Sequence, residues 1–239
     1  MPKPAPKFTV CALLYGDYTH LAKRCLGSLV SLAQEGLVDL RVGMNDVSPS
    51  TESLVKSWDT IKVFENRPQI LKYPMMRRMF NEEPISTDYI MWFDDDSYIK
   101  PSEIYQSWLK KVEDAMSDCD MLGSVYTIPY RSSQREWCKT QPWYSGKLVA
   151  NKPSFATGGW WCIRTDVIKK FNWPIPELRH CGGDVALGVL LDQNDLRLKH
   201  YKKGVAINAN SEGRESSAER RGASRTEKPI GEGFTAGSQ

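Results

Sequence analysis

Tyr89-Ile90-Met91-Trp92-Phe93-Asp94-Asp95-Asp96-Ser97-Tyr98-Ile99 is the stretch on which the reading of this chain turns. Tyr89 to Phe93 is a short, wholly apolar and aromatic run, the strongest strand signal in the sequence. It passes without a spacer into three aspartates. Each carries a charge, and their mutual repulsion destabilises the segment unless a cation neutralises it. Hard oxygen ligands at a strand end suit Mg2+ or Mn2+, and those ions in turn clamp a diphosphate. The structural alternative is an acidic turn that caps the next helix, for which Asp96 and Ser97 are suitable types. A cap needs one such residue, whereas this sequence supplies three in a row.

Upstream, Phe8–Tyr15 is a compact apolar run ending at Gly16-Asp17, the pattern of a buried parallel strand and its turn. From Thr19, Leu21, Cys25, Leu29 and Leu32 recur at near-helical spacing, and Glu35-Gly36 supplies a stop. Residues 37–44 read as a second strand ending at Asn45-Asp46, followed by a short helix over 51–58 and a strand over 61–64. A helix is expected over Tyr73–Phe80, with Pro74 in its first turn. Downstream of the aspartates come a helix over 101–116 and a strand over 121–128. This alternation predicts a single α/β domain around a mostly parallel sheet. Ligands of such sheets bind beyond the carboxyl ends of the strands, so Gly16-Asp17, Asn45-Asp46 and Asp94–Asp96 are expected on one rim. Residues 131–152, with Trp137, Trp143 and Tyr144, read as an irregular acceptor-side loop or small hairpin. A helix over 165–171 and another over 184–192 follow.

The 239 residues, 41% hydrophobic and 26% charged, are sufficient for one large domain with a real core. A net charge of +3 does not by itself imply a polyanionic partner. No run approaches the ~20 apolar residues of a membrane span, and no transmembrane anchor is expected. The six cysteines include no C-x-x-C pair and no Cys/His cluster, which argues against structural zinc and a disulfide scaffold and fits a reduced, cytoplasmic setting. Residues 1–7 read as a flexible leader or a remnant, 8–210 as the catalytic domain, and 211–239 as a basic, polar and extended tail.

The triple aspartate after its strand resembles the D-x-D motif of GT-A glycosyltransferases, and the run through Ile99 is similar to family 2 and Fringe-like enzymes. That resemblance implies a GT-A fold, a nucleotide diphosphate-sugar donor (a UDP-sugar first) and Mn2+ or Mg2+. Asp96 then stands as the leading metal ligand, with Asp94 facing the donor and able to share the metal, and Asp95 a weaker donor-side candidate. Tyr15 and Asp17 resemble the nucleotide-base loop. Asn45-Asp46-Val47-Ser48 resembles a D-D-x-S segment in which only Asp46 keeps its acid. Arg77 or Arg78 stands where relatives place a basic residue near the diphosphate, although a solvated helix face accounts equally for both. Gly159 and Trp160, in Gly158-Gly159-Trp160-Trp161, resemble the segment lining the donor sugar; a core tryptophan is the alternative. Cys181-Gly182-Gly183-Asp184 resembles the E-D or D-D segment that carries the catalytic base. Gly183 replaces the first acid, which leaves Asp184 as base or, structurally, as a helix cap. His180 and His200 are candidates for a metal ligand or a site residue, although a lone histidine more often has neither role, and His200 lies earlier after the base than the metal histidine of relatives.

The implied reaction is inverting transfer of a sugar to an acceptor hydroxyl, on a glycan or on hydroxymethylated DNA. Arg214, Arg220, Arg221, Arg225 and Lys228 could close over a bound diphosphate, grip a polyanion together with the tryptophan-rich segment, or simply be solvated. Two other classes compete. The losses at Asn45 and Gly183 suggest an inactive nucleotide- or carbohydrate-binding module. Paired aspartates with a metal also suit a nucleotidyltransferase, although no glycine-rich phosphate loop is present.

Overall fold

Strand β1, Phe8–Gly16, alternates its side chains between two cores. Cys11 and Leu13 point into one, Val10, Ala12 and Leu14 into the other. A strand buried on both faces reads as one continuous apolar run, and such a strand sits inside a parallel sheet. The computed structural model describes residues 5–179 and 182–209. Within them β1 pairs in parallel with β2, Val38–Val47, on one side and with β4, Tyr89–Asp94, on the other. Strand β3, Lys62–Asn66, extends the sheet beyond β2.

On the far side of β4 comes β7, Ser154–Arg164, which runs antiparallel to it. Next are β6, Met121–Thr127, and β8, Leu198–His200. The seven-strand order is β3-β2-β1-β4-β7-β6-β8, with β7 alone reversed. A two-stranded ribbon, β5 (Tyr98–Ile99) with β9 (Val205–Ala206), returns the chain to the triple aspartate.

Helices cover both faces. Helices α1 (Thr19–Gly27), α2 (Val30–Gln34), α3 (Pro49–Lys56) and α5 (Tyr105–Met116) bury their apolar residues in one core. Helices α4 (Lys72–Asn81), α6 (Ser132–Lys139), α7 (Thr165–Lys170) and α8 (Gly183–Gln193) contribute to the other. Strand β4 divides as β1 does, with Ile90 and Trp92 facing the α4 side and Met91 and Phe93 the α5 side. The five cysteines among the described residues are all buried as free thiols, and none of the helices there is long and apolar enough to cross a membrane.

Several boundaries differ from the sequence expectation for identifiable reasons. Helix α3 begins earlier, because Pro49 occupies its first turn and the Ser48 hydroxyl accepts from the Thr51 N–H. Helix α5 begins later, at Tyr105, since the preceding residues make a turn in which Lys100 N–H donates to the Gly204 carbonyl. The expected loop at 131–152 contains α6, started by the Gln134 side chain accepting the Arg131 N–H at 2.9 Å. Its tryptophans are not displayed: Trp143 is buried and Trp137 half-buried against it. At the amino end Lys7 is tied down, its carbonyl accepting from Tyr89 N–H and its amine meeting Glu113. The basic tail expected over 211–239 lies outside the described residues.

Helix α8 lies close on β7, and Gly188 sets that approach. A Cβ there would stand 2.7 Å from Phe155 Cβ and closer still to the Ser154 carbonyl. Overpacking against backbone costs about 1–3 kcal/mol, so Gly188→Ala should lower Tm by roughly 3–10 °C. Gly27→Ala, where a Cβ would meet nothing within 4 Å, should leave Tm unchanged or slightly higher. Differential scanning calorimetry of the two variants tests the packing.

Candidate functional site

The carboxyl ends of β2, β1 and β4 are neighbours, so Asp46, Gly16-Asp17 and Asp94–Asp96 share one rim. At that rim the β1–β2 register slips, pairing Tyr15 with Asn45 and Gly16 with Val47. Asp46 is the extra residue, exposed and at φ 57°. A bulge of this kind re-aims a side chain at a sheet edge. Tyr15 packs edge-on to Tyr18 at 5.6 Å beside it, and Asp17 is exposed. Asn45 points inward, its amide donating to the Ile70 carbonyl while its oxygen accepts the Ile70 N–H at 2.9 Å. A carboxylate cannot make both bonds, so the missing acid at this position has a structural cause.

Alternation along β4 puts Trp92 and Asp94 on the same face, that of α4. The Trp92 indole N–H donates to Asp94 Oδ1 at 2.9 Å. Lys72, first residue of α4, places Nζ 2.7 Å from each Asp94 oxygen and 2.9 Å from the Gly158 carbonyl. Both oxygens of Asp94 are thereby engaged. Asp95 and Asp96 are buried, at 2% and 1% exposure. Ser97 N–H closes the turn on the Asp94 carbonyl, and two further bonds clamp it: Asn208 N–H to Ser97 Oγ and Ala209 N–H to the Asp96 carbonyl. Beneath, burial and the nearby aspartates hold the Cys25 thiol well above its usual range.

On the other side of Lys72 and Gly158, α8 starts from Gly182 at φ 80°. Asp184, in its first turn, accepts the Val185 N–H on Oδ1 at 3.0 Å. Burial pushes the Asp184 carboxyl upward, Lys72 opposes the shift, and Asp94 adds to it. Gly158 separates the two groups: a Cβ there would lie 3.2 Å from Lys72 Nζ and 3.8 Å from Asp184 Oδ2. The backbone reaches this point because β7 carries a wide irregularity, with Gly123 opposite Trp161 but Val125 opposite Ala156.

The structure therefore gathers Asp94, Asp95, Asp96, Asp184 and Lys72, and it sets four expected donor residues elsewhere. Arg77 bonds Asn172 and the Pro174 carbonyl, and Arg78 bonds Glu82, Asn66 and the Glu65 carbonyl. Each residue of a helix turns by about 100°, so α4 presents Lys72 to the aspartates while these arginines face other partners. Trp160 is fully buried in the α5-side core against Trp108 and Tyr201. Gly159 faces the returning chain, where a Cβ would lie 2.9 Å from Ile207 Cγ2 and closer to Asn208. His200 accepts the Val125 N–H on Nδ1 at 3.0 Å, and His180 lies outside the described residues. Lys72 escaped the sequence reading, because its partner Asp94 is distant in the chain and nothing local sets it apart from a solvated lysine.

Among the described residues no three His, Cys, Asp or Glu side chains form a metal cluster. Mg2+-type sites, however, often take one or two carboxylates and complete their shell with phosphates and water. With Asp94 committed to Lys72 and Trp92, the donor set fits such an ion chiefly through Asp96.

No protein-family model matches the sequence, and no curated protein does. Solved structures do. A Pyrobaculum calidifontis mannosyltransferase in complex with GDP-Man and Mn2+ superposes with TM-score 0.59 at 13% identity, over 91% of this chain and 60% of that one. Glucosyl-3-phosphoglycerate synthase from Mycobacterium tuberculosis, with Mn2+, UDP and phosphoglyceric acid, gives 0.56 at 16%, over 91% and 74%. S. aureus TarS 1–349 gives 0.52 at 15%, over 82% and 58%. The chain thus spans about three fifths of the mannosyltransferase and of that TarS fragment. At these identities the likeness is one of fold: the chain has the GT-A fold of these glycosyltransferases.

The raised Asp184 carboxyl has a consequence for stability. Between its ordinary unfolded pKa and the higher folded one, the folded state binds more protons, so stability falls as pH rises through that window. Asp184→Asn removes this loss while keeping an oxygen for the Val185 N–H. The variant should melt above the wild type at pH 7, with the difference shrinking as pH falls to about 3.5. Equal melting temperatures at pH 7 would contradict the burial argument.

Proposed function

We propose that this protein transfers a sugar from a nucleotide diphosphate donor to an acceptor hydroxyl with inversion, using Asp184 as the base. The observation that carries the reading is the triple aspartate at the β4 end, its Asp95 and Asp96 buried and its Asp94 half-buried on Lys72, with the half-buried Asp184 carboxylate beside that lysine, on the rim of a GT-A sheet. Asp184 accepts the hydroxyl proton as the acceptor oxygen attacks the anomeric carbon. The bond from that carbon to the diphosphate oxygen breaks, and the nucleoside diphosphate leaves. A carboxyl raised by burial is a stronger proton acceptor than an exposed aspartate once ionised. Asp96 would hold Mn2+ or Mg2+, which neutralises the charge gathering on the departing diphosphate. Lys72 holds Asp94 and the Gly158 carbonyl beside that charge.

Tyr15, Asp17 and Asp46 form the base end of the donor cleft in this reading. A UDP-sugar is the first donor to try. GDP-mannose is the second, because the mannosyltransferase of similar fold was solved with it. The acceptor is a hydroxyl of a glycan or of hydroxymethylated DNA. The half-buried and buried tryptophans of residues 131–152 supply no stacking platform for the latter. The losses that suggested an inactive module, at Asn45 and Gly183, both have local structural reasons.

The test is thermal stabilisation by UDP, GDP and their sugars, with and without Mn2+. One nucleotide should raise Tm only with metal, and Asp96→Ala should abolish that metal-dependent shift. Asp184→Asn should keep the shift within a degree or so while lowering turnover by about 10²–10⁴-fold. A nucleotide that binds equally well without metal, or an Asp184→Asn variant at full rate, would sink the reading. Release of pyrophosphate in place of a nucleoside diphosphate would point to nucleotidyl transfer.

A further inference from the structure

Gly183 stands where the resemblance leads one to expect a second acid, and the structure shows what fills its space. A Cβ on Gly183 would lie 2.5 Å from both Cε2 and Oη of Tyr73, and nearer still to Cζ. Real Cβ atoms do not approach a ring this closely, so a side chain here requires either the Tyr73 ring or the α8 terminus to shift. Both residues are buried. The Tyr73 ring cannot easily give way. The Tyr73 backbone N–H donates to the Arg179 carbonyl at 3.0 Å, and the Trp173 ring lies edge-on to the tyrosine ring at 6.4 Å. Gly182, at φ 80°, turns the chain sharply just before this contact, and Asp184 follows directly after it.

We propose that Tyr73 is the positioning residue of the base: its ring seats the first turn of α8, taking the place of a second acidic side chain and fixing where the Asp184 carboxylate points. This rests on the sugar-transfer reading and deepens it, because the site then works with one carboxylate on the acceptor side. Lys72 and Tyr73, adjacent in sequence, reach the two halves of the cleft from one helix end, Lys72 touching Asp94 and Tyr73 abutting Gly183. A side chain at 183 must push the α8 terminus off the ring and carry Asp184 with it.

The experiment uses the full chain with Gly183→Ala, Gly183→Asp, Tyr73→Ala, Tyr73→Phe and the doubles Tyr73→Ala/Gly183→Asp and Tyr73→Ala/Gly183→Ala. Binding of UDP with Mn2+ is measured by calorimetry, and hydrolysis of UDP-glucose and GDP-mannose gives kcat and KM. Gly183→Ala and Tyr73→Ala should each lower kcat about tenfold or more, with donor KM and UDP affinity within about threefold. Tyr73→Phe should stay near wild type, because the ring is the seat. Removing the ring should rescue the side chain, the Gly183→Asp double turning over about tenfold faster than Gly183→Asp alone. If Gly183→Asp does not fold, the Gly183→Ala pair reads the same coupling. Wild-type kcat in Gly183→Ala, or doubles no faster than their glycine-site singles while still binding UDP, would overturn the proposal alone. A wild type inactive on both donors would overturn the sugar-transfer reading and this inference with it.

Discussion

A single ammonium group holds the cleft together. Lys72 Nζ sits 2.7 Å from both oxygens of Asp94 and 2.9 Å from the Gly158 carbonyl, and its charge offsets part of the upward push on Asp184. Two half-buried carboxylates that face each other repel, and burial penalises both. A cation beside them relieves the repulsion, and its bonds join the start of α4 to two segments far apart in sequence, the end of β4 and the irregular stretch of β7. Removing one partner of this half-buried pair leaves the other charge only partly compensated by solvent. The cleft therefore exists as a geometry only while α4 starts where it does.

The start of α4 is in turn fixed from several directions. Asn45 bonds both backbone groups of Ile70, just ahead of the helix. Farther along, the fully buried Arg41 donates to the carbonyls of Met79, Glu83 and Pro84, anchoring the other end. An unpaired buried guanidinium is costly, and this one meets three carbonyls and Asp39. Helix α4 is thus held at both ends by polar side chains from β2, and the strand that carries the exposed Asp46 also sets the lysine opposite Asp94.

Most of the sheet was legible because strands buried on both faces announce themselves as unbroken apolar runs, as Phe8–Leu14 and Tyr89–Phe93 do. The rim followed from the parallel-sheet rule. The site's inner wiring did not, for reasons of direction. Trp160 and Trp161 are adjacent, yet one lies in each core, and the sequence does not say which face of β7 looks toward Asp94. Gly158 and Gly159 both lie in the stretch where the β6–β7 register slips, and only Gly158 faces Lys72 and Asp184 while Gly159 faces Asn208. Lys72 pairs with an aspartate 22 residues away, and a lysine at a helix start looks like any solvated one. Helix α6 was missed because it buries only Gln134 and Cys138, too few positions to show a period.

The central claim is that Lys72 owns Asp94, leaving Asp96 to the metal and Asp184 to the acceptor. A crystal structure with UDP and Mn2+, with the metal located by its anomalous signal, tests this most directly. The account predicts one Mn2+ bound through Asp96 and the diphosphate oxygens, with Lys72 still on Asp94 and the Asp184 carboxylate free of metal. A Mn2+ ion seated on Asp94 with Lys72 displaced, or one bridging to Asp184, would contradict it.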